Sequence, residues 1–296
     1  MENYIVATLV FAGLTALMAL GLNVIWGLAG MVNLGLVGFV AIGAYGSALL
    51  TVRTGWPIAA GCAAGAAAAA LAGAGVALLT ARLRGDYLAI VTLGFAEVVR
   101  LVAANEVAWT RGTDGISGVP GWWRGALAPS AFNLLSLAIV WTAVAASALL
   151  LGRMSAAPWG RVLRAIREDE MVAAVAGKPV LQFKVQAFMV GAGMLGLGGA
   201  LYGHYNAYVV PDAFGPLVTI NVVLALTVGG VGRMPGAVLG AVLVTALAEA
   251  VRFLGGVLPM LGPVQVAAIQ QGLIGLVLLL VLHVRPGGLM PERVSG

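Results

Sequence analysis

Charge is what this sequence has least of: Asp, Glu, Lys and Arg together make up 9% of its 296 residues. A soluble domain carries about 25%, so this chain cannot cover a globular surface with polar groups. Cysteine is nearly absent. Cys62 stands alone in an apolar run, which excludes a disulfide framework and a thiolate metal centre. The two histidines, His204 and His283, are far apart and offer no ligand spacing, so no metal site is expected. The basic residues are split among short loops without aromatic interleaving, so nucleic acid is not an expected partner. No Ser/His, paired-Asp or metal constellation is present. No catalytic residue is therefore expected, and an intramembrane enzyme is a poor reading.

What the sequence does have is apolar length. It is 61% hydrophobic, in runs near the roughly 20 residues that cross a hydrocarbon core about 30 Å thick. The expectation is an all-α polytopic membrane bundle, one transmembrane domain over residues 1–296 with lipid around it. Spans are expected at 4–26, 33–52, 57–81, 87–104, 134–152, 181–203, 217–231, 236–254 and 265–284. That is about nine, or eight to ten if glycine-broken pieces are re-entrant. The 43 glycines and the alanine tracts suit helices packed closely in lipid. The opening MENYIVATLVF lacks a basic leader and reads as a retained first span. Residues 105–133 are too polar and irregular to lie in lipid.

The one long polar stretch is 153–184, which holds Arg153, Arg161, Arg164, Arg167, Lys178 and Lys184, with Glu168, Asp169 and Glu170 in its middle. Pro158 suits a first helical turn, Gly177 a left-handed cap, and Pro179 stops continuation, so a helix is expected from Pro158 to Gly177. Trp159, Leu163, Ile166, Ala173 and Ala176 fall at helical spacing, with Arg161, Arg164 and Glu168 on another face. Such a helix is shaped to be gripped by another protein. It is equally what a solvated loop obeying the topology rule would contain, and the residues alone leave both readings open.

Placing this loop inside puts Arg82, Arg84, Arg233, Arg285 and Arg293 inside as well. Arg53, Arg100, Arg111, Arg124 and Arg252 then lie at or near the outside, the C-terminus inside and the acidic N-terminus outside.

Gly191-x-Gly193-x-x-Gly196 has the spacing of a dinucleotide fingerprint but lies within a span, where it reads as a packing face. Gly177-Lys178 lacks the upstream glycine of a phosphate loop. Gly232, Gly236 and Gly240 repeat every four residues, a helix-contact face. Glu97 with Arg100, and Glu249 with Arg252, are charges within spans; each pair either lines a polar path or neutralises itself across one turn. Glycines 27–35 and the stretch Pro211–Pro216 break two apolar blocks, and breaks of this kind mark substrate routes. Asn33, Tyr45, Thr92 and Asn221 are the polar side chains nearest these breaks, and with Glu97 they are the path candidates. No relay of carboxylates supports proton-driven transport.

Several stretches resemble the LivM-type permeases of branched-chain amino acid ABC importers. They are Leu22-Asn23-Val-Ile-Trp-Gly27-Leu-Ala-Gly30 with Gly43-Ala44-Tyr45, and Arg84-Gly85-Asp86-Tyr87 through Thr92, Gly94, Glu97 and Arg100. Others are Thr113-Asp114-Gly115-Ile116, Gly160-Arg161 through Gly177, Gly229-Gly230-Val-Gly232, and Arg285-Pro286-Gly287-Gly288-Leu289. The resemblance implies that 153–184 is the loop through which ATPases act. Arg161, Arg164, Arg167, Glu168, Asp169, Glu170, Ala173, Ala174, Gly177 and Lys178 would be its coupling residues. The general permease pattern sets a glutamate six residues before Gly177, where Met171 stands, with Glu170 one position off. Leu36 replaces the family's usual histidine, and Met31-x-Asn33 a Gln-x-Ser, which makes any path there less polar.

The implied assembly pairs this chain with a homologous LivH-like permease, two cytoplasmic ATP-binding subunits and an extracytoplasmic substrate-binding protein in a bacterial inner membrane. ATP and magnesium would bind the partners; no cofactor is expected on this chain. The implied cargo is a branched-chain or other hydrophobic amino acid. The alternatives are urea, short amides or another small organic solute within the family, and, in a different class, a stand-alone secondary transporter or channel.

Overall fold

A backbone surrounded by hydrocarbon must satisfy its own N–H and C=O groups, so each apolar run becomes a helix. The computed structural model describes residues 2–257, 263–285 and 287–291. α1 (Glu2–Leu22) continues as a π-helical turn over Asn23–Leu28, after which 29–35 is non-helical before α2 (Leu36–Thr54). α3 (Ile58–Leu79) and α4 (Gly85–Asn105) follow, then a one-turn α5 (Val107–Thr110), a 3-10 turn and β1 (Ile116–Ser117). α6 (Pro129–Ala156) leads into α7 (Pro158–Glu168) and α8 (Glu170–Val175). α9 (Val180–Asn206), β2 (Tyr208–Val209), a 3-10 turn (Pro211–Phe214), α10 (Pro216–Gly229), α11 (Met234–Val257) and α12 (Pro263–Val284) complete the chain. Proline opens α6, α7 and α10, where its missing N–H costs nothing.

Among the described residues, eight helices are long and apolar enough to cross a membrane. α12, a further apolar run of 22 residues, brings the bundle to about the nine spans expected. α4 and α6 extend beyond their expected limits: α6 begins at Pro129 rather than 134, inside the stretch read as loop.

The centre is α2, α3 and α9, meeting through glycines. A Cβ on Gly43 would lie 2.1 Å from the Gly196 carbonyl oxygen, so these two backbones are in direct contact. Gly191 faces Gly21 and Ile25, and Gly193 faces Ala70, so the 191–196 pattern is a packing face. Gly236 and Gly240 press on Gly229 of α10. Gly232 does not belong to that face, contrary to expectation. It has φ +91° and lies in the α10–α11 turn, before the helix starts at Met234.

The two ends of the bundle differ. One gathers the 82–85 turn, the 153–184 segment and residues 285 and 287–291. Leu289 and Met290 donate N–H bonds of 2.9 and 3.0 Å to Val228 and Gly229, closing the end of α10. The other end gathers the start of α1, the 105–128 loop and 207–215. There β1 pairs antiparallel with β2, Ile116 opposite Val209, and the Tyr208 hydroxyl donates to Asp114 O at 2.7 Å. The start of α1 and the 153–184 segment thus lie at opposite ends of the bundle.

His204, 1% exposed, ties the second end to the bundle. Its Nδ1 is 2.6 Å from the Pro120 carbonyl, which only accepts, so Nδ1 carries the proton and Nε2 accepts from Ser47 Oγ at 2.8 Å. Glu249 accepts from the Tyr4 hydroxyl. The side chain of Arg252, its expected partner, lies outside the described residues.

α4 presents a divided surface. Leu88, Thr92, Ala96 and Ala103 are buried at helical spacing against the bundle, whereas Tyr87, Ile90, Val98, Leu101 and Val102 face outward.

Candidate functional site

The polar 153–184 segment leaves the bundle as two short helices rather than one. The single helix expected from Pro158 to Gly177 breaks at Asp169, whose backbone is extended (φ −151°, ψ 107°). Its Oδ1 accepts from the N–H groups of Met171 and Val172 at 2.8 and 3.1 Å, so Asp169 caps α8. An Asp that closes a first turn in this way competes with continuation of the preceding helix. Gly177 ends α8 as expected, with φ +77°. Gly177 N–H bonds Ala174 O at 2.9 Å and Lys178 N–H bonds Ala173 O at 3.1 Å, the paired bonds of a Schellman stop.

α7 turns Gly160, Leu163 and Ile166 inward, and Trp159 Nε1 donates to Gln186 Oε1 of α9 at 2.9 Å. Arg161, Glu168, Asp169, Ala174, Gly177 and Lys178 are exposed, Arg164 is half-buried and Ala173 is buried. Between α7 and α8 lies a groove of about 490 Å³ whose lining includes Arg161, Ala165, Glu168, Val172, Ala173 and Lys178. Met171, Val172 and Val175 stand exposed beside it, 64–88% accessible. The ten residues singled out in this segment therefore fall into two sets. One faces solvent around the groove; the other faces the bundle.

The inward set makes the connections. Arg167 donates to the Gly27 carbonyl, and its aliphatic stem lies on Gly30. Glu170 Oε2 receives Lys184 Nζ at 2.7 Å and Arg84 Nη2 at 3.1 Å, joining α8 to α9 and to the start of α4. A polar cavity of about 470 Å³ lies among these groups and the 29–31 backbone. Lys184 and Arg84 were not among the site residues read from the sequence. Lys184 carries a legible signal, a lysine inside an otherwise apolar helix. Nothing local reveals that its partner is Glu170.

The break at 27–35 is held in turn. Asn23, fully buried, accepts from Gly232 N–H at 2.8 Å and fixes the π-helical turn to the α10–α11 turn. Asn33 Oδ1 accepts from Gly35 N–H at 2.9 Å, and Thr92 Oγ1 accepts from Leu34 N–H at 3.2 Å. Gly35 sits on the Thr92 carbonyl so closely that a Cβ would lie 1.9 Å from its oxygen.

Two of the other path candidates, Tyr45 and Glu97, lie beside the Pro211–Phe214 turn. The Tyr45 ring is 6.0 Å from that of Phe214. Glu97 makes two bonds to Arg100, 3.0 and 2.6 Å, and Arg100 reaches Asp212 at 3.6 Å. Asn221 is apart from both groups, exposed on α10. Asn33 Nδ2 and the hydroxyls of Tyr45 and Thr219 are buried with no hydrogen-bond partner. Orphaned polar atoms of this kind are uncommon, and three of them flank the two backbone breaks.

Comparison with known proteins adds the following. The family model described as branched-chain amino acid transport system / permease component matches residues 4–282. The high-affinity branched-chain amino acid transport system permease protein LivM of Salmonella typhimurium is 32% identical over 193 residues, 58% of this chain and 45% of that protein. LivM of Escherichia coli gives the same identity and coverage. The probable branched-chain amino acid transport permease protein LivM of Methanocaldococcus jannaschii is 29% identical over 227 residues, 73% of this chain and 63% of that protein. The chain thus spans about half the length of the two bacterial relatives. No solved structure matches it.

Proposed function

The chain belongs to the branched-chain amino acid transport permease family, and from that membership we propose that it is a membrane subunit of an ATP-driven importer of branched-chain or other hydrophobic amino acids. It forms half of the translocation path, with a LivH-like permease supplying the other half. Two ATP-binding subunits drive it from the cytoplasm, and an extracytoplasmic binding protein delivers the cargo. The whole chain acts as one domain in a bacterial plasma membrane, with its basic end and C-terminus in the cytoplasm. It performs no covalent chemistry and holds no cofactor; ATP and magnesium bind the ATPases.

The observation that carries this reading is the two-faced 153–184 segment. Its outer side offers a groove with charged rims, formed by Arg161, Glu168 and Lys178, beside exposed Val172 and Val175. Its inner side is tied by Arg167 to Gly27 and by Glu170 to Lys184 and Arg84. Motion imposed on α7 and α8 thereby reaches the 27–35 break and the start of α4 together. Asn33 and Thr92 lie at that break, and Tyr45 and Glu97 further along the same route, whereas Asn221, exposed on α10, lies off it. The unpartnered atoms of Asn33 and Tyr45 are then groups that the path exposes when it opens. ATP shifts the permease only if the ATPase binds its two states with different free energy.

Purification in mild detergent tests the assembly: a homologous permease and ATPases should accompany the chain. Charge reversal at Arg164 and Arg167 should abolish ATP-dependent uptake while the chain stays in the membrane. Uptake by this chain alone, without ATP, would refute the reading.

A further inference from the structure

Away from this route, α6 and α11 diverge and leave a groove of about 780 Å³. Its walls are apolar side chains, among them Trp141, Ala148, Met234, Val238 and Leu243, with Gly152 at one end. The groove runs along residues 141–152 of α6 and 234–243 of α11. At 1.5 Å per residue that is about 15 Å, half of a hydrocarbon core about 30 Å thick. A spanning helix of a neighbouring subunit needs the full thickness and a trough wide enough for a cylinder of about 10 Å. The depth of one leaflet suits a lipid tail instead.

Charge marks the mouth of the groove. Neither arginine lines the groove itself, but Arg153 directly follows Gly152 and Arg233 directly precedes Met234, so both stand at the level of its end nearest the 153–184 segment, within reach of that end for side chains as long as arginine's. Arg153 is exposed, Arg233 is half-buried, and neither guanidinium has a partner among the described residues. Two cations that are unpaired among the described residues, at the level of the end of an apolar slot one leaflet deep, complement an anionic headgroup carrying an acyl chain. We infer that this groove binds one anionic phospholipid, its tail between α6 and α11 and its phosphate held by Arg153 and Arg233.

Native mass spectrometry of the full chain, or of the complex that co-purifies with it, tests this with phosphatidylglycerol against phosphatidylcholine of the same tails. Phosphatidylglycerol should be retained with a preference of roughly tenfold to thirtyfold, from two basic residues near the surface. Arg153→Gln with Arg233→Gln should remove the preference, while Arg111→Gln, at the opposite end of the bundle, should leave it intact. Ala148→Phe should lower retention of both lipids by filling the slot. Absence of a preference in the parent chain would overturn the proposal. So would a double variant that keeps the preference while retaining the parent's melting temperature. Crosslinking of Ala148→Cys to a spanning helix of a partner subunit would assign the groove to protein and equally overturn it.

Discussion

Glu170→Gln and Lys184→Met remove the two halves of one ion pair, and the two losses are unequal. With Gln at position 170, the Lys184 ammonium, whose side chain is 8% exposed, loses the carboxylate it pairs with among the described residues. Stranding one member of a buried pair costs about 3–5 kcal/mol; Glu170 is 23% exposed, so the lower end, about 3 kcal/mol, applies. With Met at position 184, Glu170 keeps Arg84 at 3.1 Å and the thioether refills the space of the lysine stem. What is lost is one charge-assisted hydrogen bond, about 1.5 kcal/mol. At 1.4 kcal/mol per factor of ten, local opening of α8 should rise about 100-fold in the first variant and about tenfold in the second. Hydrogen exchange of the 170–178 amides in detergent reads this directly. The double variant should return toward the Lys184→Met value, because no stranded charge is left. Equal acceleration in the two single variants, or the reverse order, would refute the argument.

Three further outcomes follow from single contacts. Asp169→Ala should cost about 1 kcal/mol and speed exchange at the Met171 and Val172 amides, because both lose the carboxylate oxygen that caps them. Gly35→Ala should fail to give a monodisperse protein, since its Cβ meets the Thr92 carbonyl, whereas Gly94→Ala, with open space around it, should purify normally; size-exclusion chromatography separates the two. Asn23→Ala should destabilise by about 1–3 kcal/mol, seen as a lowered melting temperature, because the Gly232 N–H loses its acceptor.

The spans were legible because apolar length and glycine spacing are local properties, and the family was legible because its signatures keep their order. The structure also explains some signatures that looked unrelated in sequence. Gly229-Gly230 and Gly287-Gly288-Leu289 pack against each other, and Asn23 bonds Gly232. The break at Asp169 was less legible, because a side-chain cap inside a polar run resembles an ordinary charged helical position until its backbone is seen. The pairing of Arg84, Glu170 and Lys184 was not legible. It joins three elements, and each residue alone reads as a topology signal. The pairing of β1 with β2 escaped for a similar reason, since two-residue strands carry no period.

The outward side of α4 has a bearing on how the chain survives after synthesis. Along most of its length this helix offers Tyr87, Ile90, Val98 and Leu101 to whatever surrounds it, and hydrocarbon is an adequate neighbour for those. Glu97 is not so placed. Its side chain, 44% accessible, is paired with Arg100 on that open side, and lipid tails solvate such a pair poorly. A newly made copy without company therefore carries a polar scar within its own wall, of the kind that membrane quality control detects. If the proposed second permease covers this side, the chain's lifetime in a pulse-chase should lengthen when that partner is made alongside it, making subunit balance a matter of turnover as well as of expression.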